Sequence, residues 1–87
     1  MQEEAKILYE QIGIILKNKR IEKNINYLRF CDENDIPVST YDEILKGKKQ
    51  TSFYNIFKII RGLGLNFEEF GKLLDEKIPQ SIWELED

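Results

Sequence analysis

An all-α domain of five short helices with a short C-terminal extension is what this sequence predicts, on three observations. Apolar residues recur at helical spacing in successive segments, capping and stopping residues separate those segments, and neither strand alternation nor an internal repeat is present. Eighty-seven residues suffice for one hydrophobic core and are too few for a large enzyme with a deep cleft. With 41% hydrophobic residues, two prolines and five glycines, the composition is that of a folded chain rather than a linker.

Leu8, Ile12, Ile15 and Leu16 share one face of a first helix running from Ala5 to about Lys23, and Asn24 ends it. Asn26 is placed to cap a second helix over Tyr27 to Glu33, with Phe30 and Cys31 turned inward. Asn34-Asp35 then supplies turn chemistry, with Asp35 suited to the left-handed region. Pro37 has a fixed φ and no N–H to lose, which fits the first turn of a third helix reaching about Lys46. That helix carries Tyr41, Ile44 and Leu45 as apolar residues and stops at Gly47. After a loop over residues 48–51, Ser52 caps a fourth helix from Phe53 to about Leu63, with Phe53, Ile56, Phe57 and Ile60 on one face and Gly62 or Gly64 as its end. Asn66-x-x-Glu69 has the form of a capping box for a fifth helix through Phe67, Phe70, Leu73 and Leu74, and a tail with Pro79 and Trp83 follows.

Histidine is absent and Cys31 is the single cysteine, which removes Cys/His metal sites, Ser-His-Asp and Cys-His nucleophiles, and an intrachain disulfide. The sixteen carboxylates are scattered and read as solvating charge, so no enzyme activity and no metal or cofactor is expected. The first residues are acidic where a signal peptide would be basic, and runs such as Ile14-Ile15-Leu16 are too short to span a bilayer, so the expected compartment is the cytoplasm. The net charge of −3 hides an asymmetry. Residues 17–61 carry a local +4, against −2 for residues 1–16 and −5 for residues 62–87. A basic middle with acidic ends suits a phosphate-docking core, because Lys and Arg that displace condensed counterions supply most non-specific affinity for DNA.

A set of short motifs occurs together in order. Ile12-Gly13 and Leu16 through Arg20-x-x-Lys23 lie in helix 1, Phe30-Cys31 and Asn34-Asp35-Ile36 cross the first turn, and Ser39-Thr40 opens helix 3. Ile44-x-x-Gly47-Lys48, Ser52-Phe53-x-x-Ile56-x-Lys58-Ile59, Leu63-Gly64-Leu65 and Phe67-x-x-Phe70 complete the series. Over Ile12 to Phe70, without a gap, the chain resembles the lambda-repressor-like helix-turn-helix domain of the XRE family of bacterial and phage regulators. The resemblance implies a compact DNA-binding domain over residues 1–70 with its motif at about 26–46, and assigns residues 71–87 to the end of helix 5 and a tail available for dimerisation.

In that family helix 3 lies in the major groove and its first turn reads base edges. By position, the resemblance makes Val38, Ser39, Thr40, Asp42 and Glu43 the base-reading set, and Tyr27, Lys46, Lys48 and Lys49 the phosphate contacts. Three departures bear on this. Tyr27 replaces a frequent Gln, Asp35 replaces the turn glycine, and Leu45 replaces the glutamate that pairs with the helix 1 arginine, so Arg20 needs another carboxylate or a phosphate. Asp42 and Glu43 also oppose approach to a polyanion unless each finds a donor.

Ile7, Ile14 and Ile21 stand seven apart on helix 1, a stripe that invites a partner helix or the C-terminal tail of the same chain. Members of the family commonly bind palindromic half-sites as dimers, so the resemblance implies a homodimer formed by helix 5 or the tail, through Leu73, Leu74, Ile78 and Trp83. The expected function is a transcriptional regulator of double-stranded DNA, acting as a repressor, with no small-molecule effector because no residues remain for a sensor domain. The alternative keeps the fold for protein binding, as an antirepressor or antitoxin-like partner using the acidic helix 3 and the isoleucine stripe.

Overall fold

A computed structural model describes residues 3–48 and 52–84 of the chain. Among the described residues are six helices and no strand: α1 (Glu3–Glu22), α2 (Tyr27–Glu33), α3 (Val38–Leu45), α4 (Phe53–Gly62), α5 (Phe67–Lys77) and α6 (Gln80–Trp83). No helix among them is long and apolar enough to cross a membrane.

One device ends four helices in succession. Asn24 (φ 57), Asp35 (φ 53), Gly47 (φ 64) and Gly64 (φ 76) follow α1 to α4 in the left-handed region. In each turn the left-handed N–H donates to the carbonyl three residues back and the next N–H to the carbonyl five back, as in Asn24 to Ile21 with Ile25 to Arg20, and Gly64 to Arg61 with Leu65 to Ile60. These are Schellman motifs, which satisfy carbonyls the helix would leave orphaned. The residue after the left-handed one is Ile25, Ile36 or Leu65 in three turns and Lys48 in the fourth. The α3 turn therefore puts a charge where its siblings put an apolar contact.

The helix starts are equally local. Asn26 Oδ1 accepts from the Arg29 N–H (3.1 Å), Ser52 Oγ from the Asn55 N–H (3.3 Å), and Asn66 and Glu69 form the reciprocal capping box (2.8 and 3.2 Å). α3 differs. Pro37 is its N-cap in an extended conformation (φ −58, ψ 136), not its first helical residue, and provides no side-chain cap.

Two expectations need correction. The tail is helical over Gln80–Trp83, making six helices instead of five; four residues cannot display a helical period, and the turn closes when the Ile82 N–H donates to the Pro79 carbonyl (3.0 Å). The buried face of α4 is carried by Ile56, Ile59 and Ile60, whereas Phe53 is 68% exposed and Phe57 is half-buried. Phe53 and Phe57 instead stack on Phe67 of α5, with ring centroids 5.7 and 5.9 Å apart.

Leu16 of α1 and Ile59 of α4 are completely buried, and Cys31, Tyr41 and Leu63 close around them. Burial at this level stabilises by about 1.5–3 kcal/mol per large apolar side chain. α3 meets α1 at backbone distance. A Cβ placed on Gly13 would stand 2.8 Å from the Ile44 carbonyl oxygen and still nearer that of Leu45. From the other side, a Cβ on Gly47 would stand 2.7 Å from the Glu10 Cα. Two glycines thus interlock the end of α3 with the middle of α1.

Gly13→Ala should lower the unfolding free energy by about 1–3 kcal/mol, because main chain cannot yield as a flexible side chain would. Gly71→Ala, in α5 with nothing within 4 Å of the added carbon, should raise it by about 0.5–1 kcal/mol. A urea midpoint for Gly13→Ala that is unchanged or raised would contradict the interlock.

Candidate nucleic-acid interface

The docking of α3 decides which of its side chains reach solvent. Tyr41 and Ile44 are buried and Leu45 is half-buried, so Val38, Ser39 and Asp42 lie on the open side with Thr40 and Glu43 half-buried beside them. Val38 and Asp42, and likewise Ser39 and Glu43, are one turn apart and stack along that side. Among the described residues the Ser39 and Thr40 hydroxyls make no hydrogen bond, neither as caps nor otherwise.

The turn before α3 is held from α4. Lys58 is only 8% exposed and its ammonium donates to the Asp35 carbonyl (2.7 Å), with the Tyr54 ring 5.0 Å away. The Asn34 side-chain amide donates to the Phe30 carbonyl (2.9 Å), and it fits because Gly62 leaves room for it. Lys58 is therefore a structural cation, although sequence arithmetic counts it with the basic middle segment.

Other cations of that segment are neutralised at the surface. Arg29 pairs with Glu33, Lys19 with Glu22 (3.4 Å) and Lys46 with Asp42 (2.8 Å). The last pair joins an expected phosphate contact to an expected base reader. Both side chains are more than half exposed, so the pair is weak, screened by salt and open to exchange for a phosphate. Lys48 is exposed, and Lys49 lies outside the described residues.

Between the C-terminal half of α1, the start of α2 and the outer side of α3 lies an open groove of about 530 Å³. Lys17 and Arg20 line it from α1, Tyr27 from α2, and Ser39 and Lys46 from α3. Arg20 Nη1 donates to the Ile25 carbonyl (2.8 Å), and its Cζ sits 5.8 Å from the centre of the Tyr27 ring. Tyr27, half-exposed, thus holds the arginine as well as facing the groove. Arg20 Nε and the Tyr41 hydroxyl are both buried without a well-formed hydrogen bond. They are nonetheless close enough to influence one another, since the guanidinium pulls the phenol pKa down against the larger upward push of burial. Among the described residues no carboxylate pairs with Arg20.

Sequence reasoning left Lys17 and Tyr41 out of the site and left Arg20 without a partner. The available signal was Leu45: an apolar residue where the resemblance expects an acid leaves a cation unneutralised beside α3. The expected partner surface is also redistributed. Ile14 and Ile21 are 43% and 54% exposed and Trp83 is 55% exposed, so among the described residues the tail does not cover Ile14 or Ile21, while Ile7 is half-buried. Leu73 and Leu74 pack half-buried against the core, and Ile78 is buried within the chain.

Comparison with protein-family models, with curated protein sequences and with solved structures found no match to this chain.

Burial raises the Cys31 thiol, with Arg20 opposing it weakly, and raises the Tyr41 phenol as described. Both groups are neutral at pH 7 in folded and unfolded chains, so neither alters stability there. As pH climbs past the ordinary thiol value of 9.0 and then the ordinary phenol value of 10.0, the unfolded chain ionises first and stability falls. Tyr41→Phe should flatten the upper part of that decline while leaving the neutral-pH urea midpoint unchanged or higher, and an unaltered alkaline decline would show that the phenol is not protected.

Proposed function

We propose that the chain is a sequence-specific DNA-binding transcriptional regulator of the lambda-repressor-like helix-turn-helix kind, acting in the cytoplasm as a repressor that occupies its operator. The observation that carries this reading is α3 itself. Its C-terminal end is locked to α1 through Gly13 and Gly47, while its first turn is solvent-facing and free of any side-chain cap. A rigid helix with unengaged hydroxyls at its start, next to a groove lined by Lys17, Arg20 and Lys46, is suited to entering the major groove of a polyanion.

In this role Val38 or the Thr40 methyl packs on a thymine methyl, the Ser39 and Thr40 hydroxyls bond base edges, and Glu43 accepts from a cytosine amino group. Lys46, Lys48, Lys49 and Tyr27 hold flanking phosphates. Asp42 approaches DNA already paired with Lys46, so its repulsion is reduced before contact. We place the chain on its operator as a homodimer, with the exposed Ile14, Ile21 and Trp83 as the apolar surface that a second copy can cover.

One feature favours protein binding instead, in an antirepressor-like or antitoxin-like role. Phe53, Tyr54 and Phe67 are 68%, 61% and 48% exposed on α4 and α5, an aromatic surface that DNA docking through α3 does not require.

Fluorescence anisotropy with duplexes from the chain's own upstream DNA, at two or more salt concentrations, separates the readings. The regulator binds with sequence preference and an affinity that falls steeply with salt; no binding at low salt favours the protein partner. Lys48→Gln should weaken binding to every duplex about equally and reduce the log–log salt slope by about 0.9. Thr40→Ala should change the preference between duplexes by about 1–3 kcal/mol, whereas an equal loss on all of them would assign Thr40 to positioning.

A further inference from the structure

Arg20 is a cation in search of an anion. Nη1 is engaged by the Ile25 carbonyl at 2.8 Å, Tyr27 lies along the guanidinium, and no carboxylate neutralises it among the described residues. Nη2 has no partner either, which leaves it as the donor the groove can use. A partly buried charge held in one orientation without a counter-ion is costly unless a ligand completes it. The Tyr41 hydroxyl, on a residue only 2% exposed, stands at the inner wall of the same groove within reach of the guanidinium but without a well-formed hydrogen bond. Removing that oxygen would relieve an unsatisfied buried group, so its presence calls for a reason other than stability.

We propose that this groove is an oxyanion site that takes one phosphate group on the Arg20 guanidinium, with the Tyr41 hydroxyl as the positioning residue whose hydrogen bond to Nε closes when the phosphate binds. The planar guanidinium presents parallel N–H donors that match a phosphate edge, which a lysine at this place would not. Lys17 and the Ser39 hydroxyl at the rim add a charge and a donor. The Asp42 carboxylate, also on the rim, is held by Lys46 at 2.8 Å and so turned to its own partner. The groove is open, so the phosphate can belong to a DNA backbone or to a free phosphate or phosphate monoester. With DNA as the source the inference rests on the reading of the chain as a DNA-binding regulator; with a free phosphate it does not.

The test uses the full chain labelled with nitrogen-15, observing the Arg20 Nε–H resonance while inorganic phosphate replaces chloride at constant ionic strength. A saturable shift of that resonance is expected, and in Arg20→Lys, which lacks it, the backbone amides of residues 17–28 should no longer respond to phosphate despite the equal charge. Tyr41→Phe should weaken the phosphate titration by about two- to tenfold, the effect of one ordinary hydrogen bond, without lowering the melting temperature. A merely structural role for the hydroxyl would move the melting temperature and leave the titration alone.

The second arm repeats the comparison with duplex DNA. Loss of DNA affinity in Tyr41→Phe identifies the backbone as the phosphate source. Phosphate binding that persists in a chain that does not bind DNA supports the site with a free phosphate as its ligand, while the regulator reading fails. No phosphate-specific shift together with unchanged DNA affinity in Tyr41→Phe overturns the site, even where DNA binding itself stands.

Discussion

The backbone approach of α3 to α1 is the constraint on which the rest of the structure depends. Gly13 admits the last carbonyls of α3, and Gly47 admits the α1 main chain at Glu10, so the two helices meet where any side chain would hold them apart. The close seat turns Tyr41 and Ile44 into the core around Leu16 and Ile59. By the same rotation it turns Val38, Ser39 and Asp42 outward. What α3 shows to a partner is therefore decided at its far end. Lys58 reinforces the arrangement by reaching across from α4 to the Asp35 carbonyl, so the turn that launches α3 is tied to the core as well.

Charge in this molecule is sorted by folding rather than by totals. The middle segment is basic in sequence, yet Lys58 is consumed inside the fold, and Lys19, Arg29 and Lys46 each have an acidic neighbour on their own helix. What remains in the groove beside the outer side of α3 is Lys17 and Arg20, a smaller set but a gathered one. Asp42, which opposes DNA when read from sequence alone, is matched by Lys46 one turn later. α3 is thus less acidic in space than in sequence.

Helix boundaries were legible because they are local chemistry. Asn26, Ser52 and the Asn66-Glu69 box cap where their types and spacing say they should, and Asp35, Gly47 and Gly64 turn left-handed where chain reversal needs it. The all-α class followed from the same signals. Two things were not legible. The short α6 carries no period to detect, and the orientation of α4, which buries Ile59 and Lys58 while exposing Phe53, depends on distant contacts such as Lys58 with the Asp35 carbonyl and Phe53 and Phe57 with Phe67, which no window of sequence contains. Of the site, the outward residues of α3 could be read by position, whereas Tyr41 looked like pure core. Its hydroxyl acquires meaning only from Arg20, twenty-one residues away in the chain.

The central claim, that α3 and the adjoining α1–α2 groove form the face that meets DNA, is most directly tested by mapping amide shifts of the nitrogen-15 labelled chain on addition of duplex DNA. The account predicts perturbations concentrated at residues 17–28 and 38–48, with α5 and α6 affected only where a second copy of the chain covers them. Perturbations centred on Phe53, Tyr54 and Phe67 with α3 silent would contradict it, and would place the working surface of this protein on α4 and α5.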